Sequence, residues 1–196
     1  MSFITTSKKH HTSKPQVYRF SIKDLEKMYE AGLFKPEEKV ELINGEIIMM
    51  APIGFRHAKT LEKLEKIFYE ILFKKGLSND FVIWTQNPVK RNNKDLLYPG
   101  LAIYPSDIYK KDDIPKIKDA ELIIEVSDTT LEYDKEIKLP VYAKGNAKGV
   151  WIVNIEDNLL ETYKNPSGKI FKDIKIFKKD EILEIFGEKI NLSKIF

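Results

Sequence analysis

The sequence contains no cysteine among its 196 residues. This absence excludes disulfides, thiolate metal sites and cysteine nucleophiles, and it is compatible with the cytoplasm, which is the location we expect. No apolar run approaches the ~20 residues that a membrane-spanning helix needs. The first residues also lack an apolar stretch of signal-peptide length. We therefore expect no membrane partner.

Histidine and phosphate-binding glycine loops are also scarce. Two of the three histidines, His10 and His11, lie in the polar N-terminal stretch, so only His57 is a candidate for an ordered imidazole. No glycine-rich loop follows a predicted strand, and neither a His-Glu-x-x-His nor a Gly-x-Ser-x-Gly motif occurs. The net charge of +3 permits a nucleic-acid partner without requiring one.

The remaining composition is that of a globular protein, with 42% hydrophobic and 32% charged residues. We interpret residues 1–17 as a flexible polar tail and residues 18–196 as a single domain. "SIKDLEKMYEAG" predicts a helix with Ser21 as its N-cap, and Asn44-Gly45 predicts a hairpin turn. Apolar residues at the helical period predict a long helix over "HAKTLEKLEKIFYEILFKKG".

Short β-like runs fill most of the rest. They cover 81–89, 101–104, 120–126, 149–154, "LLETYKN" and "KIFKDIKIF", with an amphipathic stretch at about 132–144. Trp84 and Trp151 within these runs are interpreted as core residues. This order of elements favours one α/β or α+β domain built on a mixed central sheet.

Glu125 is the unusual residue, because it lies in the apolar run "AELIIEV" and burying an unpaired charge is costly. Asp134 and Lys138 follow at i, i+4 spacing, and Tyr142 continues the same helix face. Lys138 can therefore reach Glu125, which is expected to be ionised and hydrogen-bonded. The spacing leaves two interpretations open: an ion pair that fixes the helix, or a carboxylate that holds a divalent metal beside a lysine that orients water.

Four segments occur in a recognisable order: "VELINGEIIMMAPIGFRHAKTLEKL", "YPGLAIY", "LIIEVSDTTLEYDKEIKLPVYAKG" and "VWIVN". Together they resemble the restriction endonuclease family of Uma-two type, within the PD-(D/E)XK nuclease superfamily, over roughly residues 17–165. The resemblance implies a restriction-endonuclease-like mixed central sheet flanked by helices. It also implies a DNA substrate and Mg²⁺ or Mn²⁺ as cofactor.

The resemblance implies site residues as well. Glu125 matches a metal ligand, and Lys138 matches a catalytic lysine that has moved into the following helix, since Ser127 occupies its usual place. Glu41 matches a position implied to bind metal or water. His57 matches a position implied either to contact phosphate or simply to begin the long helix.

One metal position departs from the family pattern, because the Pro-Asp motif reads Pro99-Gly100 and glycine has no side chain to bind metal. Asp95 and Asp107 are poor substitutes, since one needs a sharp turn and the other lies roughly 23 Å along an extended chain. Pro140 is a second departure. It predicts either that the helix starts late, near Glu136, or that Lys138 is displaced.

We therefore expect a metal-dependent DNA endonuclease that is impaired because Gly100 replaces the metal-binding Asp. The alternative is a catalytically inactive nuclease-fold protein that binds nucleic acid or protein. A third interpretation makes the Glu125–Lys138 pair a structural ion pair in an oligomer. The sequence permits a homodimer.

Overall fold

The computed structural model describes residues 16–35 and 37–196. The predicted tail therefore lies almost entirely outside the described residues, as do His10 and His11. Within the described ranges, no helix combines the length and apolarity needed to cross a membrane.

The described residues form four α-helices, of which α2 is the longest, and twelve β-strands. The helices are α1 (Ile22–Glu30), α2 (Phe55–Lys74), α3 (Leu131–Tyr133) and α4 (Leu139–Lys144). The strands are β1 (Val40–Ile43), β2 (Glu46–Met49), β3 (Phe81–Thr85), β4 (Val89–Asn92), β5 (Asp95–Leu97), β6 (Leu101–Pro105), β7 (Leu122–Ser127), β8 (Gly149–Asn154), β9 (Leu159–Ser167), β10 (Ile170–Lys178), β11 (Ile182–Ile185) and β12 (Glu188–Asn191).

The centre of the molecule is a six-stranded sheet in the order β10-β9-β8-β7-β6-β3. Strands β7 and β8 run parallel, and every other neighbouring pair is antiparallel. Helix α2 packs on one face of this sheet and α4 on the other, each with its own hydrophobic cluster. The predicted mixed sheet flanked by helices is confirmed.

A second sheet, in the order β2-β1-β5-β4, lies beside the first. The predicted hairpin is confirmed, because Asn44 and Gly45 join β1 to β2 with φ of 51° and 77°. The run 81–89, predicted as one strand, is instead divided between the two sheets. It breaks at Gln86, whose positive φ of 49° turns the chain out of the central sheet.

The two predicted N-terminal helices are present. Ser21 and Asp24 form a capping box at the start of α1, each side chain binding the other residue's backbone N–H. Helix α2 buries one apolar stripe under the sheet, formed by Leu61, Leu64, Ile67, Phe68, Ile71 and Leu72.

The helical segment 131–144 accommodates Pro140 in a way that neither predicted alternative described. Its middle, Asp134–Lys138, is a π-helical turn, and the N–H of Leu139 donates to the carbonyl of Asp134, five residues earlier. Proline disrupts an α-helix by lacking an N–H and by crowding the preceding turn. The wider turn places Pro140 in the first turn of α4, so the helix does not start late and Lys138 still points inward.

Candidate active site

Glu125 lies on β7 with its side chain on the face covered by α4. Its neighbours Ile124 and Val126 point to the opposite face and pack with α2, so the alternation of the strand fixes the direction of the carboxylate. The Nζ atom of Lys138 lies 2.6 Å from Oε1 of Glu125. The hydroxyl of Tyr142 donates to the same oxygen. The predicted proximity of Glu125 and Lys138 is confirmed.

Lys138 is the centre of a larger charged cluster. Its Nζ also lies 3.2 Å from Oε1 of Glu41 and 3.8 Å from Oδ1 of Asp134. The lysine is only 3% exposed, and all three acidic residues are buried. One ammonium therefore faces three carboxyl groups in an enclosed space, which leaves an excess of negative charge.

Polar groups from nearby loops hold the two outer carboxylates. Glu41 accepts hydrogen bonds from the backbone N–H of Tyr98 at 2.9 Å and from the hydroxyl of Tyr133 at 2.7 Å. Asp134 accepts from the hydroxyls of Ser127 at 2.8 Å and Thr130 at 2.7 Å. Sequence reasoning missed Tyr133 and Thr130, whose only signal was their position one and four residues before Asp134.

A cleft of about 480 Å³ opens onto this cluster. All the residues singled out from the sequence line it, namely Glu41, His57, Gly100, Glu125 and Lys138. Apolar residues of β2 and the following loop form one wall, including Ile48 and Ile53. The fold thus brings together five residues that are spread over almost a hundred positions of sequence.

Gly100 lies directly beside Glu125. Leu101 pairs with Ile124 in the antiparallel β6–β7 ladder, and the same register places Gly100 opposite Glu125. A Cβ at position 100 would lie 3.2 Å from the carbonyl oxygen of Ile124 and 3.4 Å from Cγ2 of Val126, so a side chain there would begin at the end of β7 that lines the cleft and would require a small adjustment.

The cluster shifts the protonation of its members. Burial raises the pKa of Glu125 to about 8, with Lys138 opposing the shift and Asp134 and Glu41 reinforcing it. Burial therefore favours the protonated form of this carboxyl, whereas Lys138 favours the ionised form expected from the sequence. Burial alone would lower the pKa of Lys138, but the surrounding carboxyl groups raise it above its usual value, so the ammonium keeps its proton.

His57 lies near the start of α2, at the edge of the cleft. Its Nδ1 atom is buried and has no hydrogen-bond partner. Burial lowers the pKa of His57, and Lys138 adds to that effect, while Asp134 and Asp128 oppose it. The imidazole is therefore neutral at pH 7, and its Nδ1 atom is enclosed by protein rather than open to the cleft.

The donor set of the cleft does not fit a divalent ion as it stands. Glu41 and Asp134 already accept hydrogen bonds from protein groups, and Gly100 supplies no carboxylate. Asp95 and Asp107 do not line the cleft, as the sequence indicated. Within residues 16–35 and 37–196, no cluster of three or more His, Asp or Glu is arranged to hold a metal ion.

Comparison with known proteins assigns the class. The family described as "Putative restriction endonuclease", Uma2, matches residues 22–190, and the chain belongs to this family. A crystal structure of "a putative nuclease belonging to DUF820" from Anabaena variabilis aligns with a TM-score of 0.68. It is 11% identical and covers 85% of this chain and 94% of its own. No curated protein matches the sequence.

The family and the fold together give the protein a nuclease-like function. The resemblance inferred from the sequence is therefore confirmed. The roles of individual residues, the metal and the substrate are not given by either comparison.

Proposed function

We propose that the protein is a metal-dependent DNA endonuclease of the PD-(D/E)XK type whose hydrolytic activity is impaired by Gly100. The observation that carries this proposal is the placement of Gly100 opposite Glu125, with Lys138 within 2.6 Å of that glutamate. An aspartate at position 100 would add a second carboxylate to the cleft that Glu125 and Lys138 line.

The charge of the cleft supports the dependence on metal. Even with Glu125 protonated, Glu41 and Asp134 outnumber the single ammonium of Lys138. A phosphodiester brings a further negative charge, and like charges repel strongly where water is excluded. A bound divalent cation would add two positive charges where the phosphate enters and would offset this repulsion.

The chain's own residues can still orient a phosphodiester. Lys39 lines the cleft, and Arg56 lies near its mouth, 3.3 Å from Asp128. Both supply positive charge to a phosphate at the entrance. His57 also lines the cleft, where its neutral imidazole would hydrogen-bond a phosphate oxygen or water. Lys138 would stabilise developing negative charge once its carboxylates are engaged elsewhere.

The test is to restore the missing ligand. Gly100→Asp should bind Mn²⁺ more tightly than wild type by calorimetry, and should cut plasmid or single-stranded DNA. Gly100→Ala is the matched control, because it adds the same crowded Cβ without a carboxylate. Cleavage should disappear again in Gly100→Asp combined with Lys138→Ala, which also excludes a contaminating nuclease.

The alternative function is a nucleic-acid or protein binding module without catalysis. The observation that favours it is that protein donors already engage the carboxyl groups of Glu41, Glu125 and Asp134. If Gly100→Asp binds no more Mn²⁺ than Gly100→Ala and cuts none of the DNA substrates, the endonuclease proposal fails. Retained binding of labelled DNA by the wild type would then support the module.

A further inference from the structure

Strand β10 forms an exposed edge of the central sheet. Among the described residues it pairs only with β9, so the backbone groups along its outer side have no partner strand. The strand is nine residues long, and Ile170, Ile174 and Ile176 are 64%, 55% and 60% exposed. Long apolar edge strands are templates for pairing with another strand, and proteins usually shorten or cover them.

We propose that β10 pairs with β10 of a second copy of this chain, antiparallel and centred on Ile174, to join two central sheets into one. Ile174 is the middle residue of Ile170–Lys178, so this register uses the full length of the strand. The occupant of the edge is therefore a second copy, related by a two-fold axis perpendicular to the sheet.

The side chains of β10 are complementary to themselves in this register. Asp173 faces Lys175 of the partner subunit, whereas Phe171 and Phe177 pack into two different hydrophobic clusters of their own chain. Ile174 faces its own copy at the axis. No like charges lie opposite each other, and directly opposed charges of unlike sign stabilise antiparallel pairs.

Neighbouring registers lack this complementarity. Opposed residues must point to the same face of the sheet. The two-fold axis must therefore pass through a residue, and the alternative registers are those centred on another residue of β10. Centring on Asp173 places two aspartates opposite each other. Centring on Lys175 opposes two lysines at the axis and Lys172 to Lys178. The pattern of charges along β10 therefore selects Ile174.

Two local features compete with the pairing. Asp173 accepts a hydrogen bond from the side chain of Asn165 in the same molecule, and both residues are exposed. Lys172, Lys175 and Lys178 also lie on the strand, and edge lysines commonly oppose association. In the register centred on Ile174, however, Lys172 and Lys178 face isoleucines rather than other lysines.

The absence of cysteine makes the test direct. Opposed residues in an antiparallel pair have Cα atoms ~4.5–5.5 Å apart, which a disulfide can bridge. Ile174→Cys should therefore form a covalent dimer on mild oxidation, seen on a non-reducing gel. Ile176→Cys alone should not, because it faces Lys172 of the partner subunit, whereas the double variant Lys172→Cys, Ile176→Cys should.

Light scattering supplies the second measurement, independent of oxidation. The wild type should have twice the chain mass of 22.9 kDa. Asp173→Lys should raise the dissociation constant of the dimer at least tenfold. Adding Lys175→Asp exchanges the two charges and should restore the wild-type value. A monomeric wild type, equal cross-linking of the 174 and 176 variants, or failure of the charge exchange would each overturn the proposal.

Discussion

Two buried glutamates lie at the same level of the central sheet, and each is held by one lysine and one tyrosine. Glu125 on β7 and Glu161 on β9 flank the same residue, Ile152 of β8. Glu125 contacts Lys138 and Tyr142. Glu161 accepts hydrogen bonds from Lys135 at 3.0 Å and from Tyr163.

The surroundings of the two glutamates differ, although their partners are alike. The Lys135 side chain is 40% exposed, so the Glu161 pair is balanced and open to water. The Lys138 side chain is 4% exposed and also faces Glu41 and Asp134. A buried Glu-Lys-Tyr set thus serves structure in one place, whereas an enclosed excess of carboxyl groups beside a cleft distinguishes the candidate active site.

Removing the lysine should produce the largest difference in stability between the Glu125 site and the Glu161 site. Lys138→Met leaves three acidic groups buried without an ammonium, and we expect the free energy of unfolding to fall by about 3–5 kcal/mol. Urea denaturation at pH 7 measures this loss. A decrease below about 1 kcal/mol would show that water reaches the cluster and that the enclosed charge is less important than the geometry suggests.

The pH dependence of stability should separate the two glutamates. Because burial raises the pKa of Glu125 to about 8, the folded protein holds a proton that the unfolded chain releases above about 4.5. Stability should therefore fall as pH rises between these values, with a slope of up to about 1.4 kcal/mol per pH unit.

Urea denaturation from pH 5.5 to 8 checks this slope against two variants. Glu125→Gln should lose this contribution, whereas Glu161→Gln should retain it because Glu125 is intact. The titration of His57 is common to all three proteins and cancels in the comparison. Parallel profiles for wild type and Glu125→Gln would contradict the raised pKa.

Replacing the tyrosine at each site should produce a smaller difference in stability between the two sites. Tyr142→Phe removes a donor from a carboxyl group that water hardly reaches, so we expect a loss of about 1–2 kcal/mol. Tyr163→Phe should cost about 0.5–1 kcal/mol, since exposed Lys135 still holds Glu161. Thermal unfolding of both variants checks the order, and a greater cost for Tyr163→Phe would reverse the comparison.

The smallest effect should come from Lys135→Met. Glu161 is buried, but the Lys135 side chain is 40% exposed and Tyr163 still donates to the carboxylate, so the loss should stay near the ~0–1 kcal/mol of exposed ion pairs. The melting temperature of Lys135→Met should differ little from that of the wild type, and adding salt should reduce the difference further. A loss as large as that of Lys138→Met would show that the two glutamates have equivalent environments.

Local patterns in the sequence determined much of the fold. The capping box at Ser21, the turn at Asn44-Gly45 and the apolar period of α2 depend on residues close together in the chain, and all three are present. The i, i+4 spacing of Asp134 and Lys138 likewise placed both side chains together. The order of the elements predicted the mixed sheet, and the family resemblance singled out Gly100, which no local pattern identifies.

Other features depend on contacts between distant segments, and only the tertiary structure decided them. The break at Gln86 follows from the assignment of β3 and β4 to different sheets. The π-helical turn resolves a conflict between Pro140 and the need to keep Lys138 inside. The raised pKa of Glu125 depends first on burial and, to a smaller extent, on Asp134 and on Glu41, which lies far away in sequence. Burial and charge are sums over neighbours, and a sequence does not state which neighbours the fold will supply.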